Sequence, residues 1–136
     1  MAEYSTHFSC LFDVGTTENV IRALRLYERV EPNAHDRFPS EGFVLSQSEE
    51  GSTKLWIQDE VSGDPELVIE FVLLCAAEFD LKGLWGFTWA DTCDKPRLDA
   101  FGGGAHVIDL GARKTIAWIS TNEWLADTLT GEGSHG

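Results

Sequence analysis

From Asp64 to Leu81 the chain carries one narrow polar stripe, Glu66, Glu70 and Glu78, and is otherwise almost wholly apolar. Asp64-Pro65-Glu66 opens the segment with an N-cap residue, a proline suited to the first helical position and an acid at the positive helix end. Lys82-Gly83 closes it with a cation and a C-cap glycine. A helix this apolar has to be covered on most of its circumference. The rest of the chain must therefore supply a surface that wraps it.

Period-two segments supply that surface. Tyr4, Thr6, Phe8, Cys10 and Phe12 alternate with Ser5, His7, Ser9 and Asp13, which predicts a strand with one buried face. Residues 17–30 switch to helical spacing, with Val20, Ile21, Leu24 and Tyr27 on one face and Thr16 or Thr17 as N-cap. A loop punctuated by Pro32, Pro39 and Gly42 follows. Residues 43–47 and 54–61 read as a hairpin around Glu49-Glu50-Gly51-Ser52. After the long helix, residues 84–90 form a strand with Trp85, Phe87 and Trp89 on one face. A loop from Asp91 to Gly104 leads to a second hairpin, 105–110 and 115–120. Ser120-Thr121-Asn122-Glu123 fits a capping box before a short final helix.

The expected class is α+β: a mainly antiparallel sheet with the two main helices on one face. The first six elements follow the split βαβ, or ferredoxin-like, order, and a C-terminal hairpin and short helix are appended. The length of 136 residues suits one domain, expected over 1–130, with 131–136 as a flexible tail. The longest apolar run, Phe71 to Ala77, is too short to span a bilayer, and no export signal is visible at the start. Three cysteines, Cys10, Cys75 and Cys93, have no C-x-x-C spacing, which points away from a disulfide framework and toward a reducing cytoplasm. No spacing suits a metal or a cofactor.

Charge is the most informative functional feature. The net charge is -13, which disfavours nucleic acid and anionic membranes as partners. Residues 38–81 hold ten acids and one base, Lys54, for a sum of -9. Residues 17–37 hold four of each and sum to zero. A field so concentrated recruits basic partners, although acidic surfaces also serve solubility alone. Trp56 lies among Lys54, Gln58 and Glu60 on the polar side of its strand, and a tryptophan ringed by acids resembles a binding hot spot with a polar rim. The residues expected to bind a basic macromolecular partner are Glu49, Glu50, Trp56, Glu60, Glu66 and Glu70. In size and charge the chain resembles small acidic immunity proteins and phage-encoded inhibitors of defence nucleases. That resemblance is of composition and covers no motif, so no residue role is carried over from it.

Three other features compete. The 91–106 segment gathers Asp91, Cys93, Asp94, Asp99 and His106, which would form a small enzyme or ligand site if they converge; Cys93 and His106 would be its nucleophile and base. The plain alternative is a solvated loop with local ion pairs. Gly102-Gly103-Gly104 leads into a strand and lacks a following Gly-Lys-Ser/Thr, so a bulge or bend is expected instead of a phosphate cradle. Arg22, Arg25 and Arg29, with Arg37 nearby, would suit an anionic ligand or simply face solvent. A homodimer, formed through an apolar patch around Leu74 or Trp56, is the third functional reading. No motif has the spacing of a catalytic constellation, which favours a non-enzymatic binding protein.

Overall fold

The structure, a computed structural model, describes residues 4–30, 42–95 and 101–131. Its elements run β1 (Tyr4–His7), β2 (Ser9–Asp13), α1 (Thr17–Val30), β3 (Val44–Gln47), β4 (Lys54–Gln58), α2 (Pro65–Phe79), β5 (Leu84–Cys93), β6 (Gly102–Asp109), β7 (Lys114–Ser120) and α3 (Thr121–Thr130). The α+β class is as expected. The strands form two antiparallel sheets, one ordered β1-β5-β6-β7 and the other β2-β4-β3.

The expected continuous first strand is broken at Phe8. Its front half pairs with β5, Tyr4 opposite Cys93 through His7 opposite Ala90. Its back half pairs with β4, Ser9 opposite Gln58 through Asp13 opposite Lys54. The ferredoxin-like detail, a single undivided sheet, is therefore not reproduced. The break coincides with a long-range contact to Asp59. The Phe8 amide donates to Asp59 Oδ1 at 2.8 Å, and the Phe8 carbonyl accepts from the Asp59 amide at 3.1 Å. Asp59 Oδ2 lies 2.8 Å from His7 Nδ1, and His7 Nε2 lies 3.1 Å from Thr92 Oγ1 on β5. One carboxylate thus ties the end of β1 to the chain leaving β4. Phe8 itself is buried, and its ring lies where a Cβ on Gly63 would sit. Only glycine lets the two chains approach this closely.

One hydrophobic cluster serves both sheets and the two long helices. Phe12, Leu55, Ile57, Val68, Val72, Cys75 and Ile108 are fully buried in it. Aromatic rings bridge the divided sheets: Phe12 meets Trp85 with centroids 5.3 Å apart, and Phe8 meets Phe87 edge-on at 6.1 Å. The Trp85 indole also donates to the Leu11 carbonyl at 2.9 Å, crossing from β5 to β2. Leu74, whose place in the polar stripe marked it as a loop or dimer contact, is half-buried and packs against this cluster.

The elements differ from the sequence expectation mostly at their ends. α1 has Thr16 as its cap, with Oγ1 accepting the Asn19 amide at 3.0 Å. α2 stops at Phe79 instead of Leu81, because Asp80 takes the left-handed conformation at φ 51° and ends it. Lys82 and Arg113 both reach the Asp80 carboxylate. β5 runs three residues further than expected, since β1 supplies partners for Asp91, Thr92 and Cys93. The glycine triplet is regular strand in β6, with Gly102, Gly103 and Gly104 opposite Asp91, Ala90 and Trp89. The bulge lies further along, where β6 pairs with β7 between Val107 and Ile108. α3 is capped by Ser120 and by Gly131 in the left-handed conformation; residues 132–136 of the expected tail lie outside the described residues. No helix among the described residues is long and apolar enough to cross a membrane.

Asp59 is largely shielded and holds several partners, so Asp59→Ala should cost about 2–3 kcal/mol, the size of lost charge-assisted hydrogen bonds. Urea unfolding checks this; a loss under about 0.5 kcal/mol would remove Asp59 as the cause of the strand break.

Candidate functional site

One acid from each of the two groupings expected from the sequence, Glu66 and Asp91, meets the other at one place. β1 lays down the connector from β4 to α2. The Thr6 amide donates to Ser62 Oγ at 2.8 Å, and the Thr6 carbonyl accepts from the Gly63 amide at 2.8 Å. The Asp64 amide then donates to the Gly42 carbonyl, and the Asp64 carboxylate caps α2 by accepting the Glu66 amide at 2.9 Å. These bonds put the start of α2 beside β5. A cavity of about 440 Å³ opens there, lined by Thr6, Asp64, Pro65, Glu66, Ile69, Trp89, Asp91, His106 and Trp118.

Three carboxylates and two indoles face one space with no lysine or arginine in the lining. Thr6 Oγ1 donates to Asp91 Oδ1 at 2.9 Å and fixes that carboxylate. The Trp89 ring lies across β6 at Gly104, where a Cβ would collide with its six-membered ring and with the Ile119 carbonyl. The glycine is what allows the indole to lie flat there. Trp118 is the outer wall, 61% exposed and directly opposite His106 on the neighbouring strand. His106 Nε2 lies 2.6 Å from Thr115 Oγ1. Burial holds the His106 pKa below its ordinary value of 6.5, so the ring is neutral at pH 7. The cleft therefore presents three formal negative charges against π faces, a setting that favours organic cations.

Of the residues expected to bind a basic partner, Glu66 lines the cleft, while Glu70 is exposed one turn further along α2. Glu60 is exposed on the connector. Glu49 and Glu50 are exposed in the β3–β4 turn, at the other end of β4 from Glu60 and about 17 Å away by strand rise. They do not share a patch. Trp56 stands on the outer face, 38% exposed, but it is not ringed by acids: its cross-strand neighbours are Leu11 and Ser46, and its indole donates to Ser9 Oγ at 2.8 Å.

The alternative set divides as well. Asp91 and His106 both line the cleft. Cys93 pairs opposite Tyr4 at the end of β5, while His106 pairs opposite Phe87, six residues back. That separates thiol and imidazole by about 20 Å, so they are not a nucleophile–base pair. Asp94 follows Cys93 beyond the strand, and Asp99 lies outside the described residues. Burial pushes the Cys10 thiol up to about 11 and the Cys75 thiol, which also has Glu78 nearby, up to about 12, far from the thiolate range. The Asp59–His7–Thr92 chain has the donor order of a catalytic triad. Because the same carboxylate also holds the Phe8 amide, it acts as a structural clamp. Arg22, Arg25 and Arg29 share a groove with Glu28 and Glu78, and the Arg22 guanidinium sits 4.9 Å above the Phe79 ring; Arg37 lies outside the described residues. Among the described residues no group of three His, Cys, Asp or Glu is placed to hold a metal ion.

Thr6 and Trp118 carry no functional signal in the sequence, and Asp64 reads there only as a helix cap. Hairpin pairing alone would have given the wrong side for Trp118. In a regular ladder continued from Ile108–Thr115, His106 would meet Ala117. The bulge adds one residue, so Trp118 meets His106 and takes the Trp89 face.

Comparison of the chain with family models, with curated proteins and with solved structures finds no match. The functional reading rests on the cleft itself.

Gly104→Ala should move the Trp89 indole and cost about 1–3 kcal/mol as an overpacked contact. Near-UV circular dichroism and urea unfolding check this; an unchanged aromatic spectrum with unchanged stability would contradict the stated role of the glycine.

Proposed function

We propose that this protein is a non-enzymatic acidic binding protein of the cytoplasm, whose cleft between α2, β5 and β7 receives a basic side chain of a macromolecular partner. The observation that carries the reading is the meeting of Asp64, Glu66 and Asp91 with Trp89 and Trp118 in one cavity without a lining cation. A lysine or arginine held over an indole gains about 0.5–1 kcal/mol at an exposed site and about 2 kcal/mol or more when desolvated. The carboxylates add charge-assisted hydrogen bonds. Glu60 and Glu70 stand close by in sequence to the cleft-forming segment and would meet the rim of such a partner. Glu49, Glu50 and Trp56 lie further off, and the two glutamates would act through the long-range field that speeds encounter.

The chain's -13 charge supports a basic partner over nucleic acid or an anionic membrane. Three free thiols, Cys10, Cys75 and Cys93, support a reducing compartment. The role of such a protein would be to occupy and block a basic site, as an inhibitor or immunity protein does. A second reading, a pocket for a small organic cation, is favoured by the cavity's volume, which falls within the range of small-molecule sites.

Calorimetric titration with a lysine-rich peptide, and separately with butylammonium, tests both. Peptide binding that weakens about tenfold in Asp91→Asn and in Trp118→Ala is expected. Peptide binding unchanged in both variants, or absent in the native protein, would overturn the proposal. Butylammonium binding of equal strength to the peptide's would favour the small-ligand reading. Affinity should also fall in acid, at a pH under the ordinary imidazole value because burial holds the His106 pKa down, as the ring gains a proton inside the cleft.

A further inference from the structure

The C-terminal unit β7–α3 leaves an apolar surface uncovered. Thirteen large hydrophobic residues are exposed among the described residues, and six of them fall between 116 and 129: Ile116, Trp118, Ile119, Trp124, Leu125 and Leu129. No residue of α3 is buried, and Leu129 is 77% exposed. β7 is the last strand of its sheet, so one of its edges has no strand beside it among the described residues. A seven-residue edge with one lysine and no proline is an association edge. Trp118 and Ile119 lie on opposite faces of β7, so these groups flank its free edge on both sides, and exposed apolar area of this kind on a small acidic chain marks an interaction surface.

Charge identifies the cover. Residues 110–122 contain no acid and include Arg113 and Lys114, in a chain whose net charge is -13. Two copies of the chain repel one another over most of their surfaces, whereas residues 110–130 set Arg113 and Lys114 against Glu123 and Asp127 and sum to zero. The edge is also self-complementary. Its basic end is Lys114, and its other end leads into α3 with Glu123 in the first turn. A two-fold axis near the middle of β7 reverses the strand, so Lys114 of one copy meets the start of α3, with Glu123, in the other. The bulge at Ile116 interrupts regular backbone pairing along this edge, so the contact falls to the side chains of β7 and α3.

We propose that this chain forms a two-fold dimer through β7 and α3. The apolar patch expected around Leu74 or Trp56 is thereby relocated to the C-terminal unit. Since Trp118 is also the outer wall of the cleft, the second copy would stand at the mouth of the cleft. The inference stands on the exposed surface and its charge, and does not depend on what the cleft binds.

Light scattering coupled to size exclusion tests it over a concentration series of the full chain. The expected native mass is twice 15.1 kDa. Leu125→Glu combined with Leu129→Glu, both on exposed positions, should give monomer with an unchanged far-ultraviolet spectrum. Lys114→Glu should raise the dimer dissociation constant about fivefold, and adding Glu123→Lys in the same chain should restore it. A native monomer at every concentration would overturn the proposal, as would a dimer indifferent to the α3 substitutions. Failure of the charge reversal to rescue Lys114→Glu would overturn the two-fold geometry. Peptide binding to a native monomer would leave the cleft reading standing while removing this one.

Discussion

The Asp59 carboxylate is the constraint on which the arrangement depends. It holds the Phe8 amide and the His7 ring at once, each at 2.8 Å. The clamp sits at the point where the alternation from Tyr4 to Phe12 changes partner strand. The first half of the strand belongs to β5 and the second half to β4. Two consequences follow in order. The chain leaving β4 is forced alongside Thr6, and the start of α2 is set down beside Asp91. The cleft is thus made by the path of the backbone from Asp59 to Glu66, and only then by the side chains that line it.

Much of the fold was legible because local chemistry and global packing agree. Asp64-Pro65-Glu66 starts α2, Thr16 starts α1 and Ser120 starts α3, each by a side-chain oxygen accepting an amide near the helix start. The aromatic alternation Trp85, Phe87, Trp89 predicted a strand whose inner face packs against the core, and Phe87 is buried there with its neighbours half-buried. Non-local effects were illegible. The strand break needs a carboxylate 51 residues away. The early stop of α2 needs Asp80 to accept a left-handed backbone, a conformation expected at Gly83. The extension of β5 through Cys93 needs β1 as a partner, which residue pattern alone does not announce.

The candidate site shows the same division. Glu66 and Asp91 were each marked by their chemistry, but in separate hypotheses, because 25 positions separate them in the chain. Three-dimensional proximity merges them. Trp118 escaped notice because a single bulged residue decides which face it takes. Trp56, conversely, was marked by its polar strand neighbours, and the fold gives it Ser9, Leu11 and Ser46 as company instead of acids. Charge density along the sequence marks the acidic stretch; strand pairing decides which of its residues lie beside one another.

The account's central claim is that the Trp89–Trp118 cleft is where cationic groups bind. The indole N–H resonances of the five tryptophans allow a direct test in one titration with a lysine-rich peptide. Trp56 and Trp85 have their indole N–H groups engaged by Ser9 and Leu11, away from the cleft lining. The account predicts that the Trp89 and Trp118 resonances shift together while those of Trp56 and Trp85 stay in place. Movement of Trp56 with Trp89 and Trp118 unperturbed would contradict it and would place the binding surface on the outer face of the β2-β4-β3 sheet.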